Sequence, residues 1–251
     1  MISQSQIPVN RPALFSRDNF AMIKVYMKMY LDVSHDRSPI MKIEVMENRP
    51  ETFIEDWPGQ YNIFSHMEFA CGVPSPMFLV TTRKENGKPN ACFQAWSSFA
   101  GDGGGFFAVM QGLMQSTHTY QNILREQEFC LNFVRPEYYD SCIKTIATNE
   151  DDEDEIASGG FTSEPCVTIN APRIHEAFLC MECTLEFVKD LSGNGQTVMI
   201  VGRVRHASVE EGHNTVENIC SQNAFMYNVH SPKDPQTGFG NTSAVGILQA
   251  V

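Results

Sequence analysis

"NACFQAWSSFAGDGGGFFAV", residues 90–109, places four glycines within five positions, Gly101 and Gly103 to Gly105, and its reading decides between two fold classes. A dinucleotide-binding βαβ unit needs G-x-G-x-x-G with a strand before it and a helix after it, so that the helix N-terminus faces a pyrophosphate. Gly101 and Gly103 fit the first two positions, but Phe106 occupies the third. The next stretch, "FFAVMQ", reads as a strand and not a helix. The glycines are therefore expected to turn the chain between two strands, and a Rossmann domain is not expected.

Working outward, "PMFLVTT" and "PNACFQA" flank "RKENGK", where Asn86-Gly87 predicts a type I′ hairpin turn. "GFFAVMQ" and "FCLNFV" are further apolar runs of strand length, and "FLCMECTLEFV" and "TVMIVGRVRHASV" bracket an "SGNGQ" turn. Closely spaced strands joined by short turns predict an antiparallel barrel or sandwich, a mainly β protein with flanking helices. Two helices interrupt it. In "STHTYQNILREQ", Tyr120, Ile123, Leu124 and Gln127 share one face, with Ser116 or Thr117 as N-cap. "PEYYDSCIKTIA" opens with proline in its first turn and puts Tyr139, Cys142, Ile143 and Ile146 on one stripe.

Few residues carry recognisable chemistry. Cys180 and Cys183 form a C-x-x-C pair, but on a strand they point to opposite faces and can neither bridge nor share a metal. The acidic run "NEDDEDEI" (149–156) lacks the EF-hand glycine and terminal glutamate at their spacing, and is read as a solvated loop. Neither G-x-S-x-G nor H-E-x-x-H occurs. Thr117, His118, Thr119 and Asn122 open a helix, where hydroxyls and free N–H groups either hold a phosphate or simply cap the helix.

The chain has 251 residues, 42% of them hydrophobic, and a formal net charge of -12. That charge repels phosphate backbones and anionic lipid, so neither nucleic acid nor a membrane surface is an expected partner. Eight cysteines without disulfide-scaffold density suit a reducing compartment, and the cytoplasm is the expected location. Residues 1–50 read as a peripheral N-terminal extension to a domain spanning 51–251. Met41 opens "MKIEVMENRP", so residues 1–40 are expected to be a loosely packed extension or a product of start-site choice.

The order of motifs is more specific than any one of them. "SPMFLVTTRKENGKPNACFQAWSSF", "HTYQNI", "EFCLNF", "DEIASGGFT", "INAPRIHEAFLCMECTLEF" and "MIVGRVRHASV" together resemble the flavin reductase-like family of FMN-binding split-barrel proteins, which includes flavoredoxin. The resemblance implies an antiparallel Greek-key split β-barrel, usually a homodimer with FMN near the subunit interface. Carried over position by position, the flavin-wrapping strand and loop correspond to Asn90, Ala91, Cys92, Phe93, Gln94, Ala95, Trp96, Ser97 and Ser98. The family's K-D-T-x-x-N-I pattern falls on Thr117 to Ile123, which makes Thr119 and Asn122 the phosphate and ribityl candidates, with Thr117 and His118 beside them.

Three departures bear on affinity. Leu113 and Thr117 stand where many members carry arginine and lysine, and Ala95 replaces a common serine. A dianionic phosphate thereby loses two charge-assisted hydrogen bonds of roughly 1.5–3 kcal/mol each. The function implied is an NAD(P)H-dependent flavin oxidoreductase passing electrons to an acceptor, with no side chain assigned as acid or base. The alternative is an electron carrier reduced by a partner protein.

Overall fold

The structure is a computed structural model that describes residues 41–240 and 245–247. Two short helices, α1 (Gln60–Ile63) and α2 (His66–Cys71), lead into the first strand, β1 (Ser75–Arg83). Side chains alternate along a strand, and β1 carries apolar residues in both phases. Phe78 and Val80 enter one core cluster, while Met77 and Leu79 enter a second on the opposite face. Burial on both faces makes β1 the middle of the protein.

β2 (Pro89–Gln94) folds back along β1, as read from the sequence. The turn between them is not type I′. Asn86 is not among the positive-φ residues, and only Gly87 is left-handed, at φ 84°. Gly87 N–H donates to the Lys84 carbonyl and Lys84 N–H to the Lys88 carbonyl, both at 2.9 Å. This longer loop needs one left-handed residue where type I′ needs two.

β3 (Ser97–Asp102) and β4 (Gly105–Met114) pair antiparallel about Gly103 and Gly104, so the glycine run is a hairpin turn. Gly101 is required by close approach, since a Cβ there would lie 2.4 Å from the Gly105 carbonyl oxygen. After α3 (His118–Glu126), β5 (Glu128–Phe133) returns beside β1, a Greek-key connection. β8 (Leu179–Lys189) and β9 (Thr197–Val209) complete the antiparallel order β1-β5-β8-β9-β4-β3. Because β2 pairs with β1 while β3 pairs with β4, the curled sheet has for its two ends consecutive pieces of one bent strand. Across the bend, Gln111 N–H donates to the Trp96 carbonyl at 2.8 Å, and the Gln94 amide donates to the Gln111 carbonyl at 3.0 Å. This is the split barrel anticipated from the strands.

The barrel interior holds Phe78, Met110, Phe129, Leu131 and Ile200. On the outer face of β1 and β2, Phe93, Ala95, Cys142, Ile156 and Phe161 pack beneath α4 (Tyr139–Lys144) and α5 (Glu155–Gly159). On the expected apolar stripe of the second helix, Cys142 is buried while Ile143 and Ile146 are exposed. Short strands β6 (Ser163–Pro165) and β7 (Pro172–Ile174) pair with each other, and β10 (Met226–Asn228) and β11 (Val245–Ile247) extend the main sheet. The Cys180 thiol lies near Asn132 Oδ1 (3.4 Å), whereas Cys183 sits in the barrel core, so the C-x-x-C pair is split between faces.

The expectation for residues 1–40 falls outside the described residues. At the front of the described chain, Met46 accepts a hydrogen bond from His66 at 2.9 Å, and Arg49 lies over the Tyr61 ring. Among the described residues no helix is long and apolar enough to cross a membrane.

Candidate functional site

Where β2 meets the bend, a cavity of about 470 Å3 opens against the start of α3. Its size falls in the roughly 300–1,000 Å3 range of small-molecule sites. Of the residues singled out in the sequence, it brings together Asn90, Ala91, Cys92, Phe93, Gln94, Trp96, Thr117 and Thr119. Ser97 and Ser98 line a different cavity of about 380 Å3 beyond Trp96. Ala95 is buried in the outer core cluster, and neither His118 nor Asn122 reaches the larger cavity.

Asn122 stays out because it is used inside. The Asn122 and Asn90 amides both donate to Thr82 Oγ1, at 3.0 and 3.1 Å, and Asn90 also donates to Thr119 Oγ1 at 2.9 Å. All four side chains are buried. The face of α3 turned inward is therefore Thr119, Asn122 and Ile123, and Leu124, expected inside, is exposed. Buried polar groups are tolerated when they satisfy one another, and hydrophobic periodicity assigns such residues to the surface.

The helix start is occupied by its own capping. Thr117 accepts from Tyr120 N–H and donates its hydroxyl to the Met114 carbonyl. His118 N–H donates to Asn149 Oδ1, and its Nε2 pairs with Asp151 at 2.9 Å. Of the two readings of this segment, capping is the one these contacts describe.

The opposite wall contains residues that sequence reasoning missed. Gly112, left-handed at φ 70°, sits in the register shift of β4 and lets the backbone pass beside Trp96. Phe64 stacks on Trp96 with centroids 5.1 Å apart and planes at 27°. Trp96 itself holds φ 48°, and its indole Nε1 is buried without a partner. Beyond it, burial pushes the Glu68 carboxyl above its ordinary value, opposed by the Ser65 N–H that donates to it.

Glu155, at 3% exposure, reaches this cavity from α5. Its Oε1 meets Lys84 Nζ at 2.7 Å, and its Oε2 has no partner. Lys84 Nζ also donates to the carbonyls of Glu150 (2.7 Å) and Glu153 (3.0 Å). Burial pushes the Glu155 carboxyl up and the Lys84 hydrogen bond opposes it. The acidic run is thus not wholly a solvated loop, because it wraps a buried lysine and delivers one carboxylate inward. The cue in the sequence was an acidic run ending in the apolar "IA" at Ile156, the mark of a capped helix start. Half-buried Cys92, on the same wall, has its thiol pushed up to about 11 by burial, so it is no ready nucleophile.

Comparisons with known proteins agree with this architecture. The sequence model of the flavin reductase like domain matches residues 70–227. No curated protein matches the chain. A flavin reductase-like split-barrel protein from Shewanella frigidimarina superposes with TM-score 0.61 at 16% identity, covering 79% of this chain and 96% of that one. Nitrilotriacetate monooxygenase component B from Bacillus cereus gives 0.58 at 18% identity, covering 70% and 86%. The 2-nitrobenzoate 2-nitroreductase of Pseudomonas fluorescens gives 0.56 at 21%, covering 76% and 94%. At these identities the likeness is one of fold.

Proposed function

The chain belongs to the flavin reductase-like family, and on that premise we propose that it is a flavin-dependent oxidoreductase taking a hydride from NAD(P)H and passing electrons to an acceptor. The observation that carries this reading is the convergence of Asn90, Ala91, Gln94, Trp96, Thr117 and Thr119 on one cavity. Leu113, Phe64 and Trp96 offer apolar and aromatic surface to a flat ring system, and Gln94, Thr145 and Asn149 offer polar groups to a polyhydroxyl chain. A bound flavin would supply the hydride chemistry, while the protein orients the ring and keeps water from one face. With no dinucleotide-binding unit among the described residues, the nicotinamide docks transiently. A homodimer belongs to the same proposal.

The residues present do not fit all of FMN. Among the described residues no lysine or arginine lines the cavity and Glu155 is its one acidic side chain, so the ring and ribityl portions are accommodated and the phosphate is not.

The test is a visible absorption spectrum of the concentrated protein, titration with riboflavin, FMN and FAD, and a steady-state assay of NADH and NADPH oxidation with free flavin. Flavin binding with nicotinamide oxidation is expected. Binding without oxidation would leave an electron carrier, and no binding of any flavin would overturn the reading.

A further inference from the structure

The electrostatics of the cavity carry the cofactor question further, on the reading that the cavity holds a flavin. A phosphate site normally offers cations, or helix N–H groups not already committed. Here Lys84 is held by Glu155 and two carbonyls, His118 by Asp151, and Thr117 by its own helix. The segment bordering that end runs Glu150-Asp151-Asp152-Glu153-Asp154-Glu155. Within it, Glu155 is a buried carboxylate with one oxygen unpartnered at the cavity wall. A carboxylate in that wall, with no lining cation beside it, disfavours a phosphate, and in a partly dry cavity the repulsion is weakly screened.

We infer that the cavity selects a flavin whose ribityl end is uncharged, riboflavin, over its phosphorylated form FMN, with the acidic side chain of Glu155 on the cavity wall disfavouring the phosphate. Unlike the walls that hold the ring, this wall acts by exclusion, and its specificity is negative.

The full chain is titrated with riboflavin and with FMN by flavin-fluorescence quenching at low and high salt. Riboflavin is expected to bind about tenfold more tightly or better, a ratio that shrinks as salt screens the repulsion. Glu155→Gln should strengthen FMN binding relative to riboflavin and narrow the ratio. Ser116→Lys, at an exposed position on the cavity rim, should strengthen FMN binding severalfold and leave riboflavin unchanged. FMN binding as tightly as riboflavin, or more tightly, in the unaltered protein overturns the inference and leaves the flavin reading standing. Failure of both ligands to bind overturns both.

Discussion

Two polar clusters flank the same cavity and differ in one respect. In the first, Thr82, Asn90, Thr119 and Asn122 hydrogen-bond to one another. In the second, the Lys84–Glu155 pair satisfies the lysine and leaves a carboxylate oxygen, Glu155 Oε2, without a partner. The first network spends the Asn90 and Asn122 amide donors on threonine hydroxyls and fixes strands β1 and β2 against α3. An unsatisfied buried group costs stability wherever it sits, and here it belongs to a side chain in the cavity wall. Polar satisfaction, more than residue type, separates scaffold from site.

The sharpest way to break the comparison is Lys84→Met, which strands Glu155 as an uncompensated buried charge. A loss of about 3–5 kcal/mol in denaturant unfolding at neutral pH is expected. Without Lys84, the folded-state pKa of Glu155 rises further above its unfolded value. Stability from such a group is lost as pH rises through that window and regained below it. Acidification should therefore restore part of the loss, and a loss independent of pH would show that the pair is not ionic. Next in size, Asn122→Ala removes one donor to Thr82 in the satisfied cluster and should cost about 1–3 kcal/mol without altering flavin affinity. If affinity falls while stability holds, Asn122 touches the ligand after all and the contrast between the clusters fails.

The smallest effect concerns His230, whose ring lies 5.3 Å from that of Trp96. Burial holds its pKa below the ordinary 6.5. A depressed imidazole binds protons more readily in the unfolded chain, so stability is lost as pH falls below about 6.5. Wild type and His230→Gln should share a pH dependence above that value and diverge below it, the wild type falling faster in thermal or denaturant unfolding. Curves that stay parallel would remove the imidazole from the balance.

The fold was legible because strand alternation and turn glycines are local signals. "GDGGG" between two apolar runs and "SGNGQ" between two more announce hairpins without knowledge of what packs where. The site was legible in part. Asn90, Gln94 and Trp96 came from motif order, while Gly112 and Phe64 enter the wall only once the barrel curls, a non-local event. Thr119 and Asn122 were singled out as ligand contacts, yet Asn122 serves the core, because a polar residue with a partner across 40 positions, Thr82, looks like any other polar residue along the chain. Glu155 was hidden by its neighbours: five acidic residues precede it, and burial of the sixth depends on Lys84, 71 positions away.

The bend at Trp96 has a kinetic consequence. The cavity wall there is complete only when β4 has found β9, a pairing that joins Ala108 to Gly202 across nearly a hundred residues of chain. Contacts of such sequence separation are the slow ones to form. A long-range pairing thus also shapes the pocket, so a ligand that recognises the finished wall acts as a latch. It leaves the early collapse untouched and slows the reopening, and by mass action its concentration sets how long the barrel stays shut.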